Sequence, residues 1–338
     1  MRIGQLGDSG LTTTVLGFGC AAIMGRTGYR ASKNALAAAW DEGVTFYDTA
    51  RSYGYGESEA VLGQFLRGRR DRAIISTKFG ILASPQALWK RVVKPAVRAL
   101  LSAVPSARGA IQKRTAAEFT ANQFTVANLE QSLNQSLCKL NTDYVDILFM
   151  HEALQSVLVQ DDLLNALEKL VTAGKVRLVG ISGTPSIAEA ATQKQPKPLR
   201  AAQFPLNILD FSAISTAAAV DKAGWVGVAN QPFGGVAGVR QCRALLGDLV
   251  ASAPAQLRAK LAGVNDSILS DAVINLILST PGIHVVIPAM MNLTHIRDNV
   301  NAVTHSRFST ADLDWLRASI AARLSPTDST GVCSPGPV

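Results

Sequence analysis

A carboxylate, a phenol, an amine and an imidazole recur along this chain in one setting. Asp48, Tyr53, Lys78 and His151 each stand at or just after a short apolar run. Asp48 and Tyr53 follow Val44-Thr45-Phe46-Tyr47. Lys78 closes Ala73-Ile74-Ile75-Ser76-Thr77, and His151 closes Tyr144-Val145-Asp146-Ile147-Leu148-Phe149-Met150. Runs of this kind read as buried β-strands. If they are parallel neighbours, their C-terminal ends gather on one rim and the four groups share a pocket. Burial of Lys78 favours its neutral form, and a nearby Asp48 restores the charge. The pair, placed beside Tyr53, favours ionisation of the phenol, which could then donate its proton to a carbonyl oxygen near neutral pH. His151 adds a second hydrogen bond to that oxygen. A structural ion pair, a surface tyrosine and a capped histidine would explain each residue singly. The four together at strand ends favour a site.

The elements that must position them alternate along the chain. The first β-run is Thr13 to Gly17, followed by a helix with Ser32 as N-cap, Ala35 to Trp40 as strong helix formers and Gly43 as stop. Strands are expected at Val44–Tyr47, Ala73–Lys78, Tyr144–His151, Val176–Ile181, Ala201–Phe204, Trp225–Ala229 and His284–Ile287. Helices are expected after a Ser58 cap, over Thr125–Leu140, Asp161–Thr172 and Ser267–Ser279, with two more late in the chain. Residues 80–123 break the rhythm with an apolar helix-like face that includes Trp89. Eight β-runs separated by helices, with no clear linker, favour a closed (β/α)₈ TIM barrel over residues 1–324. Residues 325–338, rich in Ser, Pro and Gly, are expected to form a flexible C-terminal tail. A doubly wound sheet is the competitor, but Gly17-Phe18-Gly19 lacks the third glycine of a dinucleotide turn.

Composition narrows the function. The chain has 338 residues, 48% hydrophobic and 17% charged, which argues for a folded core rather than disorder. The formal net charge of +8 raises the question of nucleic acid, yet the basic residues are scattered. Their densest cluster, Arg67 to Arg72, reads as a solvated helix-to-strand turn without interleaved aromatics. Cys20, Cys138, Cys242 and Cys333 lie far apart, as in a reducing compartment. No signal core or membrane-length apolar run is present, so a cytoplasmic protein without a membrane or nucleic-acid partner is expected. His284, His295 and His305 do not have metal-ligand spacing, and no GxSxG elbow marks a serine hydrolase.

The residues also carry a resemblance. Asp48-Thr49-Ala50, then Tyr53-Gly54 and Glu57, with Ser76-Thr77-Lys78 and His151 after its strand, resemble the aldo-keto reductase family. Leu6-Gly7 through Leu16-Gly17-Phe18-Gly19 is similar to that family's opening β-hairpin and first strand. The resemblance implies a (β/α)₈ barrel with an N-terminal hairpin and a long segment after its third strand. It implies NADP or NAD bound at the C-terminal rim and a small-molecule carbonyl or sugar substrate. By the same resemblance, Tyr53 is the general acid/base, Lys78 and Asp48 tune it, and His151 orients the carbonyl. Ser182 and Gln203 would bind the carboxamide. Gly19, Cys20, Asp48, Asn230, Pro232, Phe233, Met291, Asn292, His295, Asp298 and Asn299 would complete the cofactor site. Ala21, Tyr53, His151 and Trp89 would line the substrate pocket.

Some positions depart from the family pattern. Gly183 stands where an asparagine is common, and Asn230 where an aromatic often stacks on the nicotinamide. Ala289, Met290 and Met291 follow Ile287-Pro288 where basic residues often clamp a 2′-phosphate. Both dinucleotides therefore stay open, with Arg297 or Arg240 as substitutes for the clamp. Tyr53-Gly54-Tyr55-Gly56-Glu57-Ser58-Glu59 is also similar to relatives that oxidise sugars at the anomeric carbon. Two rival functions remain at this level: a barrel aldolase using Lys78 as a Schiff-base nucleophile, and a non-catalytic nicotinamide-binding module that reports redox state.

Overall fold

A computed structural model describes residues 1–83 and 119–324. Two short strands, Ile3–Gln5 and Thr12–Thr14, pair as an antiparallel hairpin. Eight parallel strands follow: β1 (Gly17–Gly19), β2 (Phe46–Asp48), β3 (Ile74–Phe79), β4 (Val145–His151), β5 (Val176–Ser182), β6 (Leu199–Pro205), β7 (Val226–Asn230) and β8 (Val285–Ile287). They pair in sequence order from β1 to β8. The ring closes where Leu16 bridges Val286 and the Val286 N–H donates to the Val15 carbonyl at 2.9 Å. Thr13–Gly17, read from sequence as one run, is thus split between the hairpin and β1, with Leu16 at the closure.

The described helices are α1 (Tyr29–Asp41), α2 (Ser58–Phe65), α3 (Val126–Leu140), α4 (Asp161–Thr172), α5 (Pro185–Lys194), α6 (Ile214–Lys222), α7 (Gly235–Leu249), α8 (Ala255–Leu261), α9 (Asp266–Leu278), α10 (Leu293–Thr304) and α11 (Thr310–Leu324). Two expected caps move. Helix α1 starts four residues earlier than a Ser32 cap requires, and Ser32 is buried inside it against Thr27. Ser58 opens α2 as its first residue and donates to the Cys20 carbonyl at 3.1 Å, fastening the helix to the loop after β1. Thr125 does cap α3, accepting from the Asn128 N–H.

Two apolar layers hold the strands. Inside the barrel, Phe46, Ile147, Phe149, Val228, Val285 and Ile287 pack together, with Leu6 from the hairpin inserted among them. The outer layer lies between strands and helices and includes Tyr47, Ile75, Leu148, Val179 and Ile274. At β1 the inner layer leaves no room for a side chain. A Cβ on Gly17 would lie 2.6 Å from Ile287 and 2.7 Å from Phe46. This explains a Gly-rich first strand without a dinucleotide turn.

The basic cluster after α2 is more anchored than a solvated turn. Arg70 pairs with buried Asp146 at 2.8 Å and stacks over Tyr144 at 4.0 Å; Arg69 stacks over Phe65 at 4.7 Å. No described helix is long and apolar enough to cross a membrane. Trp89, Cys333, the helix-like core of the 80–123 segment and the 325–338 tail lie outside the described residues.

Candidate active site

Strand register brings three of the four polar residues to one rim. Asp48 pairs with Ser76 across β2 and β3, Lys78 with Phe149 across β3 and β4, and His151 with Ser182 across β4 and β5. Lys78 is 1% exposed and Asp48 3% exposed, so water solvates neither charge. Each must therefore be satisfied by protein. Lys78 Nζ donates to both Asp48 oxygens at 2.7 Å and to the Thr49 carbonyl at 2.9 Å, and it also hydrogen-bonds the Tyr53 side chain. Asp48 Oδ1 also accepts from Ser76 Oγ at 2.7 Å and from Gln203 Nε2 at 2.9 Å.

Tyr53 enters from a short 3₁₀ turn after β2. The turn is tight: Gly54 has φ 60°, and a Cβ there would fall 2.4 Å from the Ile23 carbonyl oxygen. Lys78 Nζ sits 4.9 Å from the Tyr53 ring centre, and the His151 ring meets that ring edge-on with centroids 5.8 Å apart. Burial opposes charge on Lys78, but the Asp48 carboxylate and then Tyr53 together outweigh it and hold its pKa above the ordinary value. For Tyr53, burial outweighs the attraction of Lys78 and, with the Asp48 charge, raises the phenol pKa. The expected net push toward ionisation is thus reversed: the phenol is kept protonated, as a proton donor requires. Burial, with repulsion from Lys78, pushes His151 down to about 3, so its ring is neutral at physiological pH and retains one N–H donor.

These groups open onto a cavity of about 1320 Å³. Tyr53, His151, Ala21, Ser182, Gln203 and Asn230 all line it. Ser182 Oγ donates to Gln203 Oε1 at 2.9 Å, so one hydrogen-bonded chain runs Ser182–Gln203–Asp48–Lys78. Gly19, Cys20, Pro232, Phe233, Met291, Asn292, His295, Asp298 and Asn299 stand outside the cavity wall. Gly19 instead donates its N–H to the Pro288 carbonyl, Cys20 is fully buried, Asn292 caps α10, and Asn299 is buried on that helix. Arg297 pairs with Glu42 at 3.6 Å, while His295 is exposed.

Sequence reasoning missed a second buried carboxylate. Glu59 is fully buried; it accepts from Thr77 Oγ1 at 2.7 Å and pairs with Arg51 at 3.3 Å. It therefore ties the loop carrying Tyr53 to the strand carrying Lys78. The available signal was position: Glu59 falls on the apolar face of α2, one turn before Leu62. Backbone strain was also unreadable in advance. Tyr55, Asn122, Glu152 and Gln231 take left-handed φ of 60°, 61°, 52° and 51°, and all four line the cavity. Such conformations cost roughly 1–3 kcal/mol each and cluster at functional sites.

The depressed His151 pKa predicts acid sensitivity. The folded protein keeps the ring neutral, whereas an unfolded chain protonates it below about pH 6.5. Its contribution to stability is present above that pH and is lost as pH falls toward the folded value of about 3. Between pH 6.5 and 5 the loss from this residue is about 2 kcal/mol. Urea unfolding at both pH values should show it, and His151→Gln should reduce the difference. An equal pH dependence in that variant would assign the acid sensitivity to other groups.

Comparison with known proteins matches residues 15–321 to the aldo/keto reductase family. The chain is 28% identical over 216 residues to the aldo-keto reductase YhdN of Bacillus subtilis, covering 62% of this chain and 55% of that protein. It is 33% identical over 190 residues to a D-threo-aldose 1-dehydrogenase of a Pseudomonas species, covering 53% of each. The chain thus matches about half the length of these two relatives. An aldo-keto reductase from Bacillus halodurans, solved in its holo form, superposes with a TM-score of 0.71 at 20% identity, over 94% of this chain and 96% of that one. That likeness concerns the barrel fold.

Proposed function

The chain belongs to the aldo/keto reductase family, and we propose that it is an NAD(P)-dependent oxidoreductase acting on aldehydes, ketones or sugar hemiacetals. The observation that carries this reading is the buried Asp48–Lys78 pair beside Tyr53 and neutral His151 at the floor of one cavity. The name of the Pseudomonas relative supports including sugar hemiacetals among the substrates.

The cavity suits a dinucleotide's nicotinamide end together with a small substrate. Its volume of about 1320 Å³ exceeds that of an ordinary small-molecule pocket. Asn230 Oδ1 is buried there without a hydrogen-bond donor. Leaving such an oxygen unpaired costs about 1–3 kcal/mol, which a ligand N–H would recover. Ser182 and Gln203, neighbours across β5 and β6, retain hydrogen-bonding capacity for a carboxamide beyond their mutual bond. Hydride transfer is the chemistry a nicotinamide dinucleotide supplies when bound.

The chain's own residues handle the proton. In carbonyl reduction, Tyr53 gives its phenolic proton to the substrate oxygen, and the His151 N–H holds that oxygen in line. Lys78 stabilises the phenolate left behind, while Asp48 keeps Lys78 charged and in place. In alcohol oxidation the phenolate takes the proton back. A Schiff-base role suits Lys78 poorly, because Asp48 and Tyr53 hold it protonated and a nucleophilic amine must be neutral.

Fluorescence titration with NADH and NADPH in parallel tests the reading. At least one should bind saturably. The pairing of Arg297 with Glu42 weakens the case for a strong preference for the 2′-phosphate. Binding of neither dinucleotide would sink the proposal.

A further inference from the structure

Among the described residues, the cavity wall carries little charge for a protein of net charge +8. Among the described residues that line it, Glu152 is the one carboxylate, and neither lysine nor arginine is present. The imidazole of His151 is neutral, because burial and Lys78 depress its pKa. Lys78 and Asp48 compensate each other beneath the floor. Nearby Arg51 is held by Glu59. Glu152 itself is exposed and has no ion-pair partner among the described residues.

Its placement is also specific. Glu152 directly follows His151, so it stands beside the group that would orient the reacting oxygen. The chain turns sharply there, at φ 52°, before the Ala153 N–H binds the Ser182 carbonyl at 3.0 Å. A glutamate gains nothing locally from a left-handed conformation. A glutamate at this left-handed position on the cavity rim points to a use for the side chain.

We propose that Glu152 sets the charge preference of the substrate cavity, disfavouring anionic carbonyl compounds against neutral and cationic ones. This rests on the oxidoreductase reading for its link to turnover, but not for its link to binding. Carboxylated or phosphorylated aldehydes bring a second negative charge to a wall that offers no described cation. Neutral polyols and ammonium-bearing carbonyls meet no such repulsion. Like and unlike charges brought beside Glu152 differ in Coulomb energy, and about tenfold discrimination between them is expected.

The test uses three aldehydes of one shape: para-carboxy-, para-hydroxymethyl- and para-(trimethylammonio)benzaldehyde. Calorimetric Kd and kcat/KM are measured on the full chain, on Glu152→Gln and on Glu152→Lys, with circular dichroism confirming that each is folded. In the natural protein the cationic aldehyde should bind about tenfold more tightly than the anionic one. The ratio should approach one in Glu152→Gln and invert in Glu152→Lys. An unchanged ratio in the variants, preference for the anion in the natural protein, or measurable binding of none of the three overturns the proposal. Ordered binding without turnover would count against the oxidoreductase reading while supporting Glu152's role. Turnover without charge order would do the reverse.

Discussion

Tyr53→Phe is expected to lower turnover by about 10²- to 10⁴-fold, the usual contribution of a positioned acid or base, while dinucleotide affinity changes little. The ring stays, so its edge-on contact with His151 and its packing over Lys78 survive. What disappears is the only group at this position able to give a proton to the substrate oxygen. The pH dependence supplies a second check in the natural protein. Because the phenol pKa is raised above 10, carbonyl reduction should not lose its donor until the pH exceeds that value. Alcohol oxidation needs the phenolate, and should accelerate as pH rises toward the same limit. Steady-state rates in both directions, with cofactor Kd from fluorescence, separate loss of chemistry from loss of binding. Near-normal turnover in Tyr53→Phe would remove the phenol from the mechanism.

The fold was legible because its constraint is periodic. The barrel strands are buried on both faces over most of their length, so runs such as Ile147-Leu148-Phe149-Met150 and Val179-Gly180-Ile181 stand out from the helices between them. Failures came where local signals compete with tertiary ones. Ser32 has the side chain of a cap but lies buried within α1, where Thr27 supplies its partner. Helix α7 was not foreseen, since Gly235, Gly238 and Gly247 lower its local propensity. The candidate site was legible to the extent that it follows strand ends, as for Asp48, Lys78 and His151. Glu59 escaped because its partners, Arg51 and Thr77, lie on two other elements. The sign of the Tyr53 shift escaped for a related reason. Lys78 and Asp48 act on the phenol in opposite directions, and only the depth of burial decides between them.

Lys78→Met should destabilise the protein by about 3–5 kcal/mol, because removing one member of a buried ion pair strands the other. Asp48 would retain Ser76 and Gln203 as donors, but its charge would lie buried without a cation. The same substitution should also cost activity, since the phenolate formed at Tyr53 would face Asp48 with no ammonium between them. A single variant leaves these two losses entangled. Adding Asp48→Asn separates them: the uncompensated charge is gone, and much of the lost stability should return as a coupling term between neighbouring sites. Activity should stay low, because no cation has been restored beside Tyr53. Urea unfolding and kcat on both single variants and the double variant measure the two quantities independently. If kcat recovered together with stability, the pair would serve only to hold the barrel rim, and proton transfer would have to proceed without Lys78.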